Sequence, residues 1–250
     1  MNPTKLIAVS VLLFFIYQGK AQQTFIPQGK IEFEKRVNLY KNLEAEEDES
    51  WRNMLKQTVP QYKVNYFDLY FTRDKAIYQP GREAVGTQKI PDWVEGPAND
   101  NIVFTDFSTG LFNSQKTVFE SIFNIQDTLQ KIDWKISTDS RTIAGFECRK
   151  ATAIIMDSVF VVAFYTDQIL TSAGPESFTG LPGMILGLAL PRLNTTYFAT
   201  KVELAEVKAS VLLPPKKGKK TNIPALRSQL KESMKSWGKW GDRNIWLIMI

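Results

Sequence analysis

The sequence predicts an α+β protein that is mainly β: an antiparallel sheet with one or two covering helices. Three observations carry this. Short apolar or alternating runs recur along the chain with turn residues between them. No helical stretch separates the central runs, so they lack the crossovers that a parallel sheet needs. Helical spacing of apolar residues occurs early, near Trp51, and late, after Asn222.

Lys30 to Tyr40 alternates, with Ile31, Phe33, Val37 and Leu39 on one face and Glu32, Glu34, Arg36 and Asn38 on the other, as a half-buried strand does. From Lys41 to Gln57 the period changes. Trp51, Met54 and Leu55 fall at helical spacing, and the acidic run of Glu44, Glu46, Glu47, Asp48 and Glu49 favours a helix start. That run brings no histidine and no calcium-loop pattern, so it reads as a solvated face rather than a metal site.

Tyr62 to Phe71 turns at Thr72-Arg73-Asp74 into Ala76 to Tyr78, and the alternation slips between Tyr66 and Phe67, which suggests a bulge. Gln79 to Asn101 is punctuated by Pro80, Gly81, Gly86, Pro91, Gly96 and Pro97 and reads as a long loop carrying Trp93. Strands follow at Ile102 to Phe107, Leu111 to Phe119, Phe123 to Gln126 and Ile132 to Ile136, the last turning at Ser137 to Ser140. Thr142 to Met156 then pairs through Asp157-Ser158 with Val159 to Tyr165.

Val159 to Tyr165 and Met184 to Leu190 are apolar on both faces, which requires cover on both sides. Helix, a second sheet layer or a ligand can supply it. Phe160, Val162, Phe164, Met184 and Leu186 are the residues expected to line any cavity left beneath. The late helix starts near Asn222, has Pro224 in its first turn and carries Leu226, Leu230, Met234 and Trp237 on one face. The ending Ile245 to Ile250 reads as a last edge strand.

Lys5, the apolar stretch Leu6 to Tyr17 and the small residues at Gly19 and Ala21 form a secretory signal, cleaved after Ala21. The expected organisation is a signal at 1–21, one antiparallel-sheet domain at 22–213, and a basic linker with a C-terminal helix and apolar end at 214–250. The mature chain has no membrane-spanning stretch, and its only cysteine, Cys148, excludes an internal disulfide and sits mid-strand as a buried, inert thiol. Of the net charge of +5, eleven Lys or Arg against four Asp or Glu from Lys201 onward account for seven positive charges, leaving 5 − 7 = −2 elsewhere. The cluster Lys216-Lys217-Gly218-Lys219-Lys220 lacks interleaved aromatics, so no nucleic-acid partner is implied.

The chain contains no histidine, which removes the Ser-His-Asp triad, the Cys-His dyad and ordinary zinc hydrolase sites. Asp157 with Asp167, or Ser177 near a lysine, would be the remaining catalytic options, and neither has a motif that fixes its geometry. No phosphate-binding glycine loop is present. The expectation is a non-enzymatic protein without catalytic residues, metal ligands or cofactor.

Gly174-Pro175-Glu176-Ser177-Phe178-Thr179-Gly180-Leu181-Pro182-Gly183 runs straight into the apolar strand from Met184. Gly174, Gly180 and Gly183 supply positive φ or close backbone approach, and Pro175 and Pro182 stiffen the loop. The loop is either a rigid turn feeding a core strand or a rim at a pocket mouth that offers Phe178 and Leu181 to a partner.

Gly180-Leu181-Pro182-Gly183-Met184-Ile185 resembles the signature that names the GLPGLI family of exported Bacteroidetes proteins, with Met184 where that name has leucine. Trp134, then Ile143, Gly145, Cys148, Lys150 and Ala151, then Phe164-Tyr165-Thr166, Ile169 and the lysine-rich segment Pro215 to Lys220 are also similar to this family. Phe164, where tryptophan is expected, and the ending Arg243 to Ile250 depart from it. The resemblance implies no known activity. It implies a curved antiparallel sheet, an open half-barrel embracing helices, similar to periplasmic lipoprotein carriers in fold alone. It also implies a periplasmic location, with secretion as the alternative. The doubly apolar strands beside the rigid loop lead to a first role, sheltering a lipid, acyl chain or apolar peptide in the curved sheet. The alternatives are docking of the loop and basic end onto an envelope protein such as an outer-membrane transporter, and, third, a hydrolase of unrecognised type.

Overall fold

A computed structural model describes residues 25–44, 48–86, 90–156 and 158–250, without the side chains of Asp92 and Trp93. The expected signal at 1–21, Glu46 and Glu47 of the acidic run, Asp157 and the Trp93 side chain lie outside the described residues. The chain forms β1 (Gly29–Asn38), α1 (Leu39–Leu43), α2 (Glu49–Thr58), β2 (Tyr62–Phe71), β3 (Lys75–Pro80), α3 (Asp92–Glu95), β4 (Ile102–Asp106), β5 (Leu111–Val118) and β6 (Ser121–Thr128). There follow β7 (Lys135–Ile143), β8 (Phe146–Ile155), β9 (Val159–Thr166), β10 (Met184–Leu190), β11 (Thr195–Glu203), β12 (Lys219–Thr221), α4 (Ile223–Ser233) and α5 (Lys239–Met249).

These strands make one open, curved twelve-stranded sheet in the order β12-β6-β5-β4-β3-β2-β1-β11-β10-β9-β8-β7. The chain meanders outward from β1 to β6, restarts at the opposite edge with β7, and meanders back until β11 pairs with β1. Every pairing is antiparallel except that of β12 with β6, where the lysine-rich segment adds a short parallel edge strand. Lysines on an edge discourage further strand addition.

α4 and α5 roof the sheet. Leu226, Leu230, Met234, Ile245 and Ile248 join one core cluster with Ile31, Phe33, Phe67, Leu69, Val161, Ala163 and Leu188. The start of α4 is fixed by Asn222, whose Oδ1 accepts from Ala225 N at 2.9 Å, a cap that satisfies an orphan amide. Ile245 to Ile250 is not the expected edge strand but lies in and after α5: Ile245 and Ile248 recur three apart, and burying that stripe of the helix in the core overrides strand propensity.

The early helix does not cover the sheet. Leu39 opens α1 because the Asn38 side chain accepts from Lys41 N at 3.1 Å and ends the strand there. α1, α2 and α3 bury Leu39, Leu43, Leu55, Val59 and Val94 in a satellite cluster. Trp51 and Met54, expected on the packed face, are exposed.

Three further expectations change. β2 pairs with β1 without a break from Tyr62 to Phe71, so no bulge follows Tyr66. The slip in phase arises because Tyr62 and Tyr66 lie on the solvent side under guanidinium groups, Arg36 at 5.3 Å and Arg82 at 3.3 Å from the ring centroids. Ser137 to Ser140 is not a turn: β7 runs through it with a register shift between Ile136 and Ser140. The chain reverses instead at Ala144 and Gly145, both at positive φ (48° and 86°), as tight hairpins require.

β10 is buried on both sides, since Met184, Ile185, Leu186, Leu188 and Leu190 are all inaccessible. β9 is not: Val159, Val161, Ala163 and Tyr165 are buried, whereas Phe160 is 45% exposed and Val162 and Phe164 are half-buried. Cover on the second side comes from the β7–β8 hairpin, whose Ile143 Cδ1 would lie 2.8 Å from a Cβ at Gly187. The Arg141 guanidinium, also from that hairpin, stacks over Phe164 and Phe198 at 5.2 and 5.0 Å. This cover stops short of Phe160.

Candidate functional site

The expected apolar lining is thereby divided. Phe160, Val162 and Phe164 face outward, and Met184 and Leu186 are packed inside the core rather than around a cavity. Cys148 is fully buried, and burial pushes its thiol up to about 11, well away from reactivity.

The loop from Asp167 to Gly183 is pinned at many points. Met184 N donates to Ile169 O at 3.0 Å, Ile185 N to Ala173 O at 2.8 Å, Gly180 N to Ser172 Oγ at 2.9 Å and Trp134 Nε1 to Thr179 O at 2.9 Å. Gly180 and Gly183 have φ of 93° and 144°. Gly174 is needed for closeness, because a Cβ there would sit 2.8 Å from Ile185 Cβ. Phe178 and Leu181 are buried in the main core, so they are not offered outward to a partner. The loop is a plug.

The plug carries Glu176 inward. Its backbone is left-handed at φ 55°, uncommon for a side chain of this kind, and it is 3% exposed. One carboxylate oxygen accepts from Asn101 Nδ2 at 2.8 Å, and the other from Tyr197 Oη at 3.3 Å with Lys35 Nζ at 3.6 Å. The Lys35 ammonium also lies over the Phe67 and Tyr197 rings at 5.6 and 5.5 Å.

A second lysine faces the same centre. Lys116 is 3% exposed and its Nζ has no hydrogen-bond partner. Burial pushes its ammonium down to about 8, Glu176 draws it back up and Lys35 adds to the fall. Tyr78, stacked on Phe67 at 4.8 Å, is pushed well above its ordinary value by burial and by the nearby Glu176 charge. Tyr78 Oη, Ser114 Oγ and Asn101 Oδ1 are buried without partners. Tyr78 lies opposite Val103, and Val103 opposite Ser114, so Tyr78 and Ser114 share a row and a face.

The outer side of the same loop lines a cavity of about 310 Å³. Its walls include Ile155, Met156, Phe178, Ile223 and Met249, and Arg227 is the guanidinium in that wall. Arg227 Nε is buried without a partner. Ser177, a catalytic option in the sequence, instead donates through Oγ to Ile250 O at 2.7 Å. A larger open groove of about 820 Å³ follows β2 and the residues after β3. Both of its cations are paired, Lys63 with Glu95 in the groove and Arg82 with Glu32 of β1.

Among the described residues, no three His, Cys, Asp or Glu side chains converge as metal ligands, and no helix is long and apolar enough to cross a membrane.

A family model described as a protein of unknown function (Porph_ging) matches residues 155–187, which hold β9, the plug and the start of β10. No curated protein sequence matches the chain. Two crystal forms of PNGF-II have a similar fold: in space group C2 the TM-score is 0.52 at 12% identity, covering 80% of this chain and 32% of that one. In space group P21 the TM-score is 0.52 at 11% identity, with 81% and 33% covered. This chain spans about a third of PNGF-II, and the likeness is one of fold alone.

Glu176, Lys35, Lys116 and Arg227 were not among the residues singled out by sequence. A signal did exist: Lys35 falls in the inward phase of Ile31, Phe33 and Val37, and Lys116 in that of Phe112, Ser114 and Val118.

Proposed function

We propose that the protein is an exported, non-enzymatic periplasmic binding protein that holds a small amphipathic anion, an acyl chain ending in a carboxylate, in the cavity beside Phe178. One observation carries this reading: a cavity of mixed walls, with Lys131, Asp133 and Ser177 on one part, in which the apolar side chains of Ile155, Met156, Phe178, Ile223 and Met249 lie beside Arg227, whose Nε is buried and unpartnered. A volume of about 310 Å³ is at the small end of ligand pockets, so a short tail fits better than a full lipid. The secretory signal supports export, and the absence of histidine supports binding over catalysis.

Calorimetric titration with decanoate should show saturable one-to-one binding, and decylamine, with the same tail and the opposite charge, should not bind. Arg227→Met should weaken decanoate by about tenfold or more, since a hydrogen bond to a charged group is worth roughly 1.5–3 kcal/mol. Equal affinity for the acid and the amine, or no binding of either, would refute the reading.

A further inference from the structure

We propose that the closed centre between the plug and strands β3 to β5 is a binding site for a halide-sized monovalent anion, held by Lys116 Nζ, Ser114 Oγ and Tyr78 Oη. It stands apart from the cavity beside Phe178 and does not depend on the role of that cavity. The charges come first. Lys35 and Lys116 face the single carboxylate of Glu176, so two cations against one anion leave one positive charge inside the protein. Glu176 is committed to Asn101, Tyr197 and Lys35, and no hydrogen bond reaches Lys116. An ammonium out of water and unpaired is among the costliest groups a fold can contain.

The hydrogen bonds point the same way. The orphaned groups are an ammonium, which can only donate, two hydroxyls, which donate as well as accept, and one amide oxygen, Asn101 Oδ1, so donor protons outnumber the acceptor atoms. Surplus donors around surplus positive charge call for an acceptor that is itself negative. A water molecule would fill the hydrogen bonds but leave the charge. The size limit follows from closure: Tyr78, Ser114, Lys116 and Glu176 are each 3% exposed or less, so there is no mouth for a larger carboxylate or phosphate. Net +1 selects a single negative charge. The anion would lock the plug by completing the charge balance that Glu176 alone leaves open.

The test uses the wild-type protein crystallised from sodium bromide, with anomalous diffraction at the bromine edge. A bromide peak within hydrogen-bonding reach of Lys116 Nζ and Tyr78 Oη is expected. Bromide found at the surface alone, or a water at the centre, overturns the proposal. In solution, each tenfold rise in halide above its dissociation constant should raise the folding equilibrium constant about tenfold at fixed ionic strength. Lys116→Met should abolish that dependence, and an equal dependence in both proteins would count against the site.

Discussion

Gly183→Val is expected to destabilise the fold by about 4 kcal/mol, a large share of the roughly 5–15 kcal/mol that holds a typical native protein. At φ 144° the backbone is one that a branched side chain rarely adopts. Space is the larger obstacle. A Cβ at Gly183 would overlap the carbonyl oxygen of Thr166 and lie 2.8 Å from its carbon and 3.1 Å from Asp167 Cα, all main-chain atoms at the end of β9. A flexible side chain could swing aside; a strand held between β8 and β10 cannot. Gly110→Ala is the control, because φ is 69° there and nothing lies within 4 Å of the added carbon, so only strain of roughly 1 kcal/mol remains. Urea denaturation of the two variants should therefore differ severalfold in effect. Similar midpoints would mean that β9 and the plug are not packed as described.

Removing the carboxylate charge should cost almost as much. Glu176→Gln keeps the shape of the side chain but strands two ammonium groups in the core, and breaking a buried pair in this way typically costs 3–5 kcal/mol. Because the loss is a charge left uncompensated, taking away one cation should restore part of it. The double variant Glu176→Gln/Lys116→Met is expected to be more stable than Glu176→Gln alone, although it carries one substitution more. This non-additivity belongs to groups that share one centre. Additive losses in chemical denaturation would place Lys116 outside the reach of Glu176.

Where the fold was legible in the sequence, local periodicity and capping agreed with tertiary packing. β1 alternates, the β2–β3 reversal lies at Thr72 to Asp74, and α4 starts at its Asn222 cap. Where the two disagreed, packing prevailed. The ending around Ile245 and Ile248 has β-branched residues suited to a strand, yet it is a helix because its apolar stripe closes the core. β12 escaped notice because three residues rich in lysine have no strand pattern of their own, and its pairing with β6 is long-range. The expectation that β9 and β10 are covered on both sides held for β10 and failed at Phe160, since a hairpin tip reaches only part of the outer face.

The plug's importance was visible in its glycines and prolines, but its content was not. Phe178 and Leu181 look like outward bait in a loop and are core residues. Glu176 looks like an ordinary loop acid, and its meaning depends on lysines from β1 and β5 that only the folded sheet brings near. Neither residue type nor spacing encodes such a meeting; a lysine in an otherwise apolar strand phase is the one trace it leaves.

Two buried lysines sharing one carboxylate is the claim that the pH dependence of stability tests most directly. In halide-free buffer the folded Lys116 ammonium titrates at about 8, whereas the unfolded chain holds that proton to about 10.5. Between these values the unfolded state binds more protons, so this residue makes stability rise with pH, by about 2 kcal/mol from pH 8 to 10. Cys148, Tyr78 and Tyr197, whose protons burial retains, act in the opposite sense toward and above pH 10, so the wild type must be read against Lys116→Met, which shares them. The expected result is a wild-type curve that climbs relative to the variant across that interval; two parallel curves would contradict the buried lysine, and with it the charged centre beneath the plug.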